Sequence, residues 1–303
     1  MKIFGAGLSG LIAAVANPKA IVYERNKEDF QGHHALLRFR NNAVSDIIGI
    51  KFKEVSVIKA IWSGGKERQP SPRLVAQYSK KNTGCYENRS IMDIKTVKRF
   101  IAPDDLLQRL IEDCIERINF EYEISMDDFT KHPYGHEDII STLPLSINAK
   151  MLGYEFDTKR SKSVIYVNKF KIANCDMYTT IYYPDDTTSV YRASITGNNL
   201  IVESKATINF IDVQLVLASL GIHSDGVDEI LTNYKQPMGK LTGVNDNDRR
   251  VMIYKMSHDH GVYSLGRFAL HKNILLDDVA KDVRVIKAMM NDDSYGISTR
   301  DRL

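Results

Sequence analysis

Apolar and polar positions along this chain fall into three kinds of pattern. The first is the short unbroken apolar run. Ile3-Phe4, Ala20-Ile21-Val22-Tyr23 and Ile139-Ile140 each read as a strand. The second is apolar spacing of three and four, seen in Leu11 to Ala16, which Pro18 stops, and in Leu106, Leu107, Leu110, Ile111, Cys114, Ile115 and Ile118. Pro103-Asp104-Asp105 puts acids at the positive end of that second helix. The third is a series of strand-like runs over 164–170, 177–183, 189–195, 200–204 and 207–210. Turn signals at Pro184-Asp185-Asp186 and Gly197-Asn198-Asn199 lie between them.

Weaker signals fill the gaps. Residues 42–48 predict a short helix closed by Gly49, and 53–62, 118–124 and 138–144 predict strands. Gly64-Gly65, Pro70 and Pro72 predict an irregular lobe out to Ser90. Residues 213–220 read as a helix ended by Gly221, 250–256 and 262–265 as strands, and 275–290 as a final helix. The expected class is therefore α/β, a parallel sheet with helices interrupted by an antiparallel sheet. Residues 1–50, 91–160 and 236–303 would form the first domain, 51–90 a segment over a pocket, and 161–235 the inserted sheet.

The first strand runs directly into Gly5-Ala6-Gly7-Leu8-Ser9-Gly10, a complete G-x-G-x-x-G followed by a helix and a second strand that ends at Glu24. Each glycine has a physical task in a Rossmann-like dinucleotide site. Gly5 permits the tight turn, Gly7 lets a pyrophosphate approach the backbone, and Gly10 lets helix and strand pack closely. The helix start offers free N–H groups to phosphate. Glu24 is placed to accept from a ribose of NAD or FAD and would repel the 2′-phosphate of NADP, an objection that Arg25 softens.

Bulk properties exclude several classes. With 303 residues and a net charge of +3, the chain has no Lys/Arg-dense run, so nucleic acid is left open as a partner without support. Cys85, Cys114 and Cys175 are dispersed, which supports neither a disulfide framework nor structural zinc. No window approaches about 18 apolar residues, and the first strand begins at Lys2, so a cytoplasmic chain without membrane span or leader is expected.

Several separated pieces together resemble the FAD-dependent oxidoreductases of the glutathione-reductase-like fold, in the branch that holds amine oxidases and UDP-galactopyranose mutases. They are Gly5 to Gly10 with Glu24, the Ile139-Ile140-Ser141-Thr142-Leu143-Pro144 strand, Tyr234 to Lys240, and Val262-Tyr263-Ser264-Leu265-Gly266-Arg267 followed by Leu275-Leu276-Asp277-Asp278. The resemblance implies FAD as cofactor. It places Gly5, Gly7, Leu8, Ser9 and Gly10 at the pyrophosphate and Glu24 and Arg25 at the adenosine ribose. Gly266 and Arg267 would serve the phosphates or ribityl chain, Leu275 and Leu276 would lie at the ring end, and Arg38 would also bind the cofactor. Where many relatives carry R-x-G-G-R, this chain has Gln31-Gly32-His33-His34 with Arg38 displaced, a feature closer to aromatic hydroxylases.

Candidate chemistry beyond the cofactor is sparse. His33 and His34 are acid/base candidates in a loop near the cofactor, against a solvated pair. Arg192 would face a substrate phosphate or carboxylate, against a cross-strand surface charge. Tyr182 and Tyr183 would line the pocket, against ordinary strand packing. His258-Asp259-His260 reads as a turn rather than a metal site, and Asn245-Asp246-Asn247-Asp248 as a polar turn. The expected function is an FAD-dependent oxidoreductase that takes hydride from a small amine or alcohol onto flavin N5. A nucleotide-sugar mutase, which predicts paired arginines in the pocket, and a non-catalytic FAD- or NAD-binding module are the alternatives.

Overall fold

A computed structural model describes residues 1–28, 37–87, 90–129, 137–158, 162–241 and 244–291. The chain opens with β1 (Lys2–Phe4), α1 (Leu8–Ala16), β2 (Ile21–Tyr23), β3 (Arg38–Phe39) and α2 (Ala43–Ile48). Next come β4 (Lys53–Ser63), β5 (Lys66–Arg68), α3 (Pro72–Thr83), β6 (Val97–Ile101) and α4 (Leu106–Cys114). β7 (Ile118–Asn119), β8 (Ile139–Ser141) and α5 (Leu145–Met151) lead to β9 (Lys162–Ile172), β10 (Met177–Tyr182), β11 (Val190–Gly197) and β12 (Asn199–Ser204). The chain continues through α6 (Phe210–Leu220), β13 (Val227–Leu241), α7 (Asp246–His260), β14 (Val262–Ser264), α8 (Gly266–Ala269) and α9 (Leu276–Asn291).

Two sheets organise these elements. The first is wholly parallel, in the order β14-β8-β1-β2-β7, so the two ends of the chain share one sheet. Its faces are both covered, which is why its strands read as continuous apolar runs. Leu11 and Ile12 of α1, Val44 of α2, Leu110 of α4 and Val283 of α9 pack on one side. Leu145 of α5 and Met252, Ile253 and Met256 of α7 pack on the other. The second sheet runs β13-β9-β12-β11-β10-β4-β6-β3, with β5 paired to β4, and is antiparallel except where β10 meets β4. It is the expected inserted sheet, enlarged by strands from residues 38–101 but without the strand expected over 207–210, where Asn209 instead caps α6 by accepting from the Asp212 N–H at 2.9 Å. Its outer face packs under α6 through Phe170, Ile181, Ala193, Ile195 and Val202. Its inner face carries α3 at one end, against Ile61, Tyr182 and Tyr191.

Three local expectations are corrected. Residues 250–256 are helical, not extended. Asn245 caps α7 by accepting from the Asn247 N–H at 2.9 Å, and Gly261 closes it with φ of 64°. Met252, Ile253 and Met256 then share the buried face. His258 and His260 consequently stand in the last helical turn rather than between strands. The irregular lobe contains α3, whose Ser71 accepts from the Leu74 N–H at 3.3 Å with Pro72 in the first turn. The strand expected over 118–124 stops at Asn119, and Glu121 takes φ of 55°.

Candidate functional site

The glycine turn is shaped by close contacts that leave room for nothing but hydrogen. A Cβ on Gly10 would stand 1.9 Å from the Gly5 carbonyl oxygen, and one on Gly5, at φ of 95°, would meet Thr142 Oγ1 at 2.3 Å. Thr142 in turn donates to the Phe4 carbonyl at 2.8 Å. Gly7 differs. It is the N-cap of α1 at φ of −68°, a Cβ there would have no neighbour within 4 Å, and no side chain caps or charges the helix start. Among the described residues, therefore, no side chain covers the start of α1, as an anion site requires. Glu24, 6% exposed, accepts from the Ala6 N–H at 2.8 Å and from the Asn26 N–H and Nδ2 at 2.9 and 2.6 Å. It ties the tip of β2 to the glycine turn, beside exposed Arg25.

The other end of the chain completes this edge. Gly266, at φ of 84°, lies so close to α1 that a Cβ would be 2.6 Å from Ser9 Oγ. Thus Gly5 to Gly10 and Gly266-Arg267, some 250 positions apart, form one surface at the carboxyl ends of β1, β8 and β14. Nearby, Asp277 in the first turn of α9 accepts from the Arg40 N–H at 2.8 Å. Asp278 accepts from Arg40 Nη2 at 2.7 Å and from the Leu275 N–H at 2.9 Å. Leu275 is exposed and Leu276 half-buried at the start of this helix. A phosphate on the α1 start, a ribose by Glu24 and a chain running past Gly266 all fit these residues, which is the donor set an FAD molecule needs.

Beyond the apolar patch under α3, the inner face of the mixed sheet carries a polar cluster that acts on Arg267 of this edge. A bulge between Val190 and Arg192 turns Tyr191 to the same side as Arg192, Ser194 and Thr196. Arg192 Nε donates to Glu203, its partner across β12, and Tyr191 donates to the same carboxylate at 3.1 Å. The Arg192 side chain keeps 36% of its surface accessible, so it borders a hollow on this face rather than a packed core. Burial works against its charge, and Glu203 more than restores it. Burial lowers the Arg267 guanidinium, while Tyr191 and Glu203 draw it the other way, which places the α8 arginine beside this cluster. Arg38 crosses from β3 to donate to Thr196 Oγ1 at 2.9 Å, Thr180 Oγ1 at 2.8 Å, and the carbonyls of Thr179 and Ile195. Burial, then Arg192, holds it down to about 10.

The expected site residues thus separate into groups. Gly5, Gly7, Leu8, Ser9, Gly10, Glu24, Gly266 and Arg267 come together. Arg192 lies on the mixed sheet, held by the Glu203 that also acts on Arg267. Arg38 fastens the segment after β2 across that sheet, so its donors are engaged by protein. Tyr183 points away: it is 1% exposed among the outer-face residues, and its hydroxyl meets Ser219 Oγ of α6 at 2.6 Å. Tyr182 lies on the inner side. His33 and His34 lie outside the described residues. Sequence reasoning passed over Tyr191 and Glu203. A lone acid in the apolar run Leu200-Ile201-Val202-Glu203 was the available signal.

No known protein family matches the sequence, and no curated protein matches it. The fold, however, is shared along almost the whole chain with solved structures. A reduced UDP-galactopyranose mutase superposes with a TM-score of 0.68 at 14% identity, over 99% of this chain and 97% of that one. An oxidoreductase from Methanosarcina mazei gives 0.60 at 12% identity, over 96% and 100%. PqsL from Pseudomonas aeruginosa, described as a probable FAD-dependent monooxygenase, gives 0.57 at 12% identity, over 98% and 88%. The chain therefore has the fold of these proteins, a Rossmann-like parallel sheet with an inserted sheet. Among the described residues, no helix is long and apolar enough to cross a membrane.

Proposed function

We propose that this chain binds FAD along the glycine edge and is a flavoenzyme that moves hydride between flavin N5 and a small substrate seated under the mixed sheet. The observation that carries this is the packing of Gly266 on Ser9. It brings the two motifs of the resemblance into one surface and leaves the Gly7 face open. Bound FAD supplies the hydride acceptor and donor. The protein's contribution is orientation and charge. Glu24 orients the ribose end, the α1 start neutralises phosphate, and the mixed sheet covers the site from water. Arg192, held by Glu203 and Tyr191, meets an anionic group of the substrate and fixes its position.

Hydride transfer from an amine- or alcohol-bearing substrate is the primary reading. Redox-neutral isomerisation of a nucleotide sugar is the second, favoured by two arginines, Arg192 and Arg267, that both interact with Glu203 and Tyr191, and by the near-complete overlap with a mutase structure. The test is the absorbance of the purified protein, with identification of any flavin released on denaturation. Anaerobic bleaching by amines or alcohols supports the first reading. Turnover of a nucleotide sugar by reduced protein, with no net flavin oxidation, supports the second. A colourless protein that takes up NAD and not FAD would remove both.

A further inference from the structure

The Glu24 carboxylate is already largely occupied by the protein's own donors. A carboxylate offers about four acceptor positions, two on each oxygen. Oε1 accepts from the Asn26 N–H at 2.9 Å and from Asn26 Nδ2 at 2.6 Å, and Oε2 accepts from the Ala6 N–H at 2.8 Å. Oε1 is therefore full, and Oε2 keeps one position among the described residues. The adjacent hydroxyls of an unmodified ribose bring two donors to such an acid.

The three donors differ in their freedom to leave. Ala6 is fully buried in the glycine turn, so its N–H stays. The backbone of residues 24–26 is tied to the segment that follows β7. The Glu24 N–H donates to the Asn119 carbonyl at 2.9 Å, and the Glu24 carbonyl accepts from the Tyr122 N–H at 2.9 Å. The Asn26 carbonyl accepts from the Glu121 N–H at 3.1 Å, which fixes the Asn26 backbone as well. The Asn26 side chain is the mobile one. Asn26 is exposed, so its amide can turn into water by a change of rotamer with the backbone in place, and water replaces the bond it leaves. The position on Oε1 that a ribose can reach is thus the one the amide now holds.

We propose that the Asn26 amide stands in for a ribose hydroxyl on Glu24, and that the paired hydroxyls of an unmodified ribose displace it. Asn26 is then a positioning residue that acts through Glu24 and sets which ribose the adenosine end accepts. This rests on the reading of the glycine edge as an adenine dinucleotide site. A ribose with both hydroxyls makes two bonds to the acid for the one it breaks. A ribose that lacks them leaves the amide where it is. Removing the amide therefore favours the diol alone.

The experiment titrates the full-length protein, Asn26→Ala and Asn26→Asp with FAD, ADP and 2′,3′-dideoxy-ADP, followed by calorimetry. The readout is the ratio of ADP affinity to dideoxy-ADP affinity. Asn26→Ala should raise this ratio about 5-fold, the equivalent of one net hydrogen bond of about 1 kcal/mol, and leave dideoxy-ADP binding unchanged. Asn26→Asp cannot donate to Glu24 either. Its added charge weakens both nucleotides alike, so the ratio should rise as in the alanine variant. A merely structural role for Asn26 would move both nucleotides together and leave the ratio where it was. A ratio that fails to rise in either variant would overturn the proposal. ADP binding with the raised ratio but no FAD uptake keeps this inference and sinks the flavoenzyme reading. FAD uptake with an unchanged ratio does the reverse, and no binding of any of the three ligands removes both.

Discussion

At the carboxyl edge of the parallel sheet, the site is made by what is missing. Gly5, Gly10 and Gly266 leave no room for a Cβ, and Gly7 leaves an open face over an uncapped helix. On the inner face of the mixed sheet, the site is made by what is present: Arg192, Glu203, Tyr191 and the cations beyond them. Backbone donors recognise what dinucleotides have in common. Placed side chains recognise one substrate. The contrast explains why the fold recurs among proteins that share little sequence with this one, and why the glycine edge alone does not name a reaction.

The sharpest way to break the comparison is to add one carbon to the glycine edge. Gly10→Ala drives a methyl into the Gly5 carbonyl, and overpacking of this kind costs roughly 1–3 kcal/mol or more. Thermal unfolding should show the loss, together with failure to retain FAD. Removing a side chain from the mixed sheet should act differently. Arg192→Ala leaves Glu203 and Tyr191 without their cation, for about 1–3 kcal/mol of stability. FAD content should stay unchanged, while substrate-driven flavin reduction falls by about 100-fold or more. Equal FAD loss in both variants would show that the two regions are not separate in function.

The smallest effect tests the two faces of the mixed sheet. Tyr183→Phe removes only the bond to Ser219 on the outer side. It should lower stability by about 1 kcal/mol in chemical denaturation and leave flavin reduction at the wild-type rate. A slowed reduction would return Tyr183 to the hollow.

The same contrast decides what was legible in the sequence. Gly5 to Gly10 and Gly266-Arg267 could be read because a backbone that approaches a phosphate or another helix demands glycine at fixed places. The inner face could be read only in part. Arg192 stood out, but its link to Glu203 depends on strand register and on a bulge at Tyr191, neither of which local pattern shows. The α7 segment misled because Val251-Met252-Ile253-Tyr254 looks extended by itself, whereas its caps, Asn245 and Gly261, lie at the two ends of a longer helix. In α3, Pro72 was a breaker by composition and a helix start by position.

Gly7 offers the most direct test of the central claim. At Gly7 φ is ordinary and the Cβ of Gly7→Val meets no described atom within 4 Å, and the change at the helix cap costs about 1 kcal/mol. The measurement is FAD titration of the wild type and this variant, followed by flavin absorbance, with thermal unfolding of both. The account predicts a variant that unfolds close to the wild type and no longer takes up FAD, because the valine occupies the space of the pyrophosphate. A folded variant that binds FAD as tightly as the wild type would contradict it.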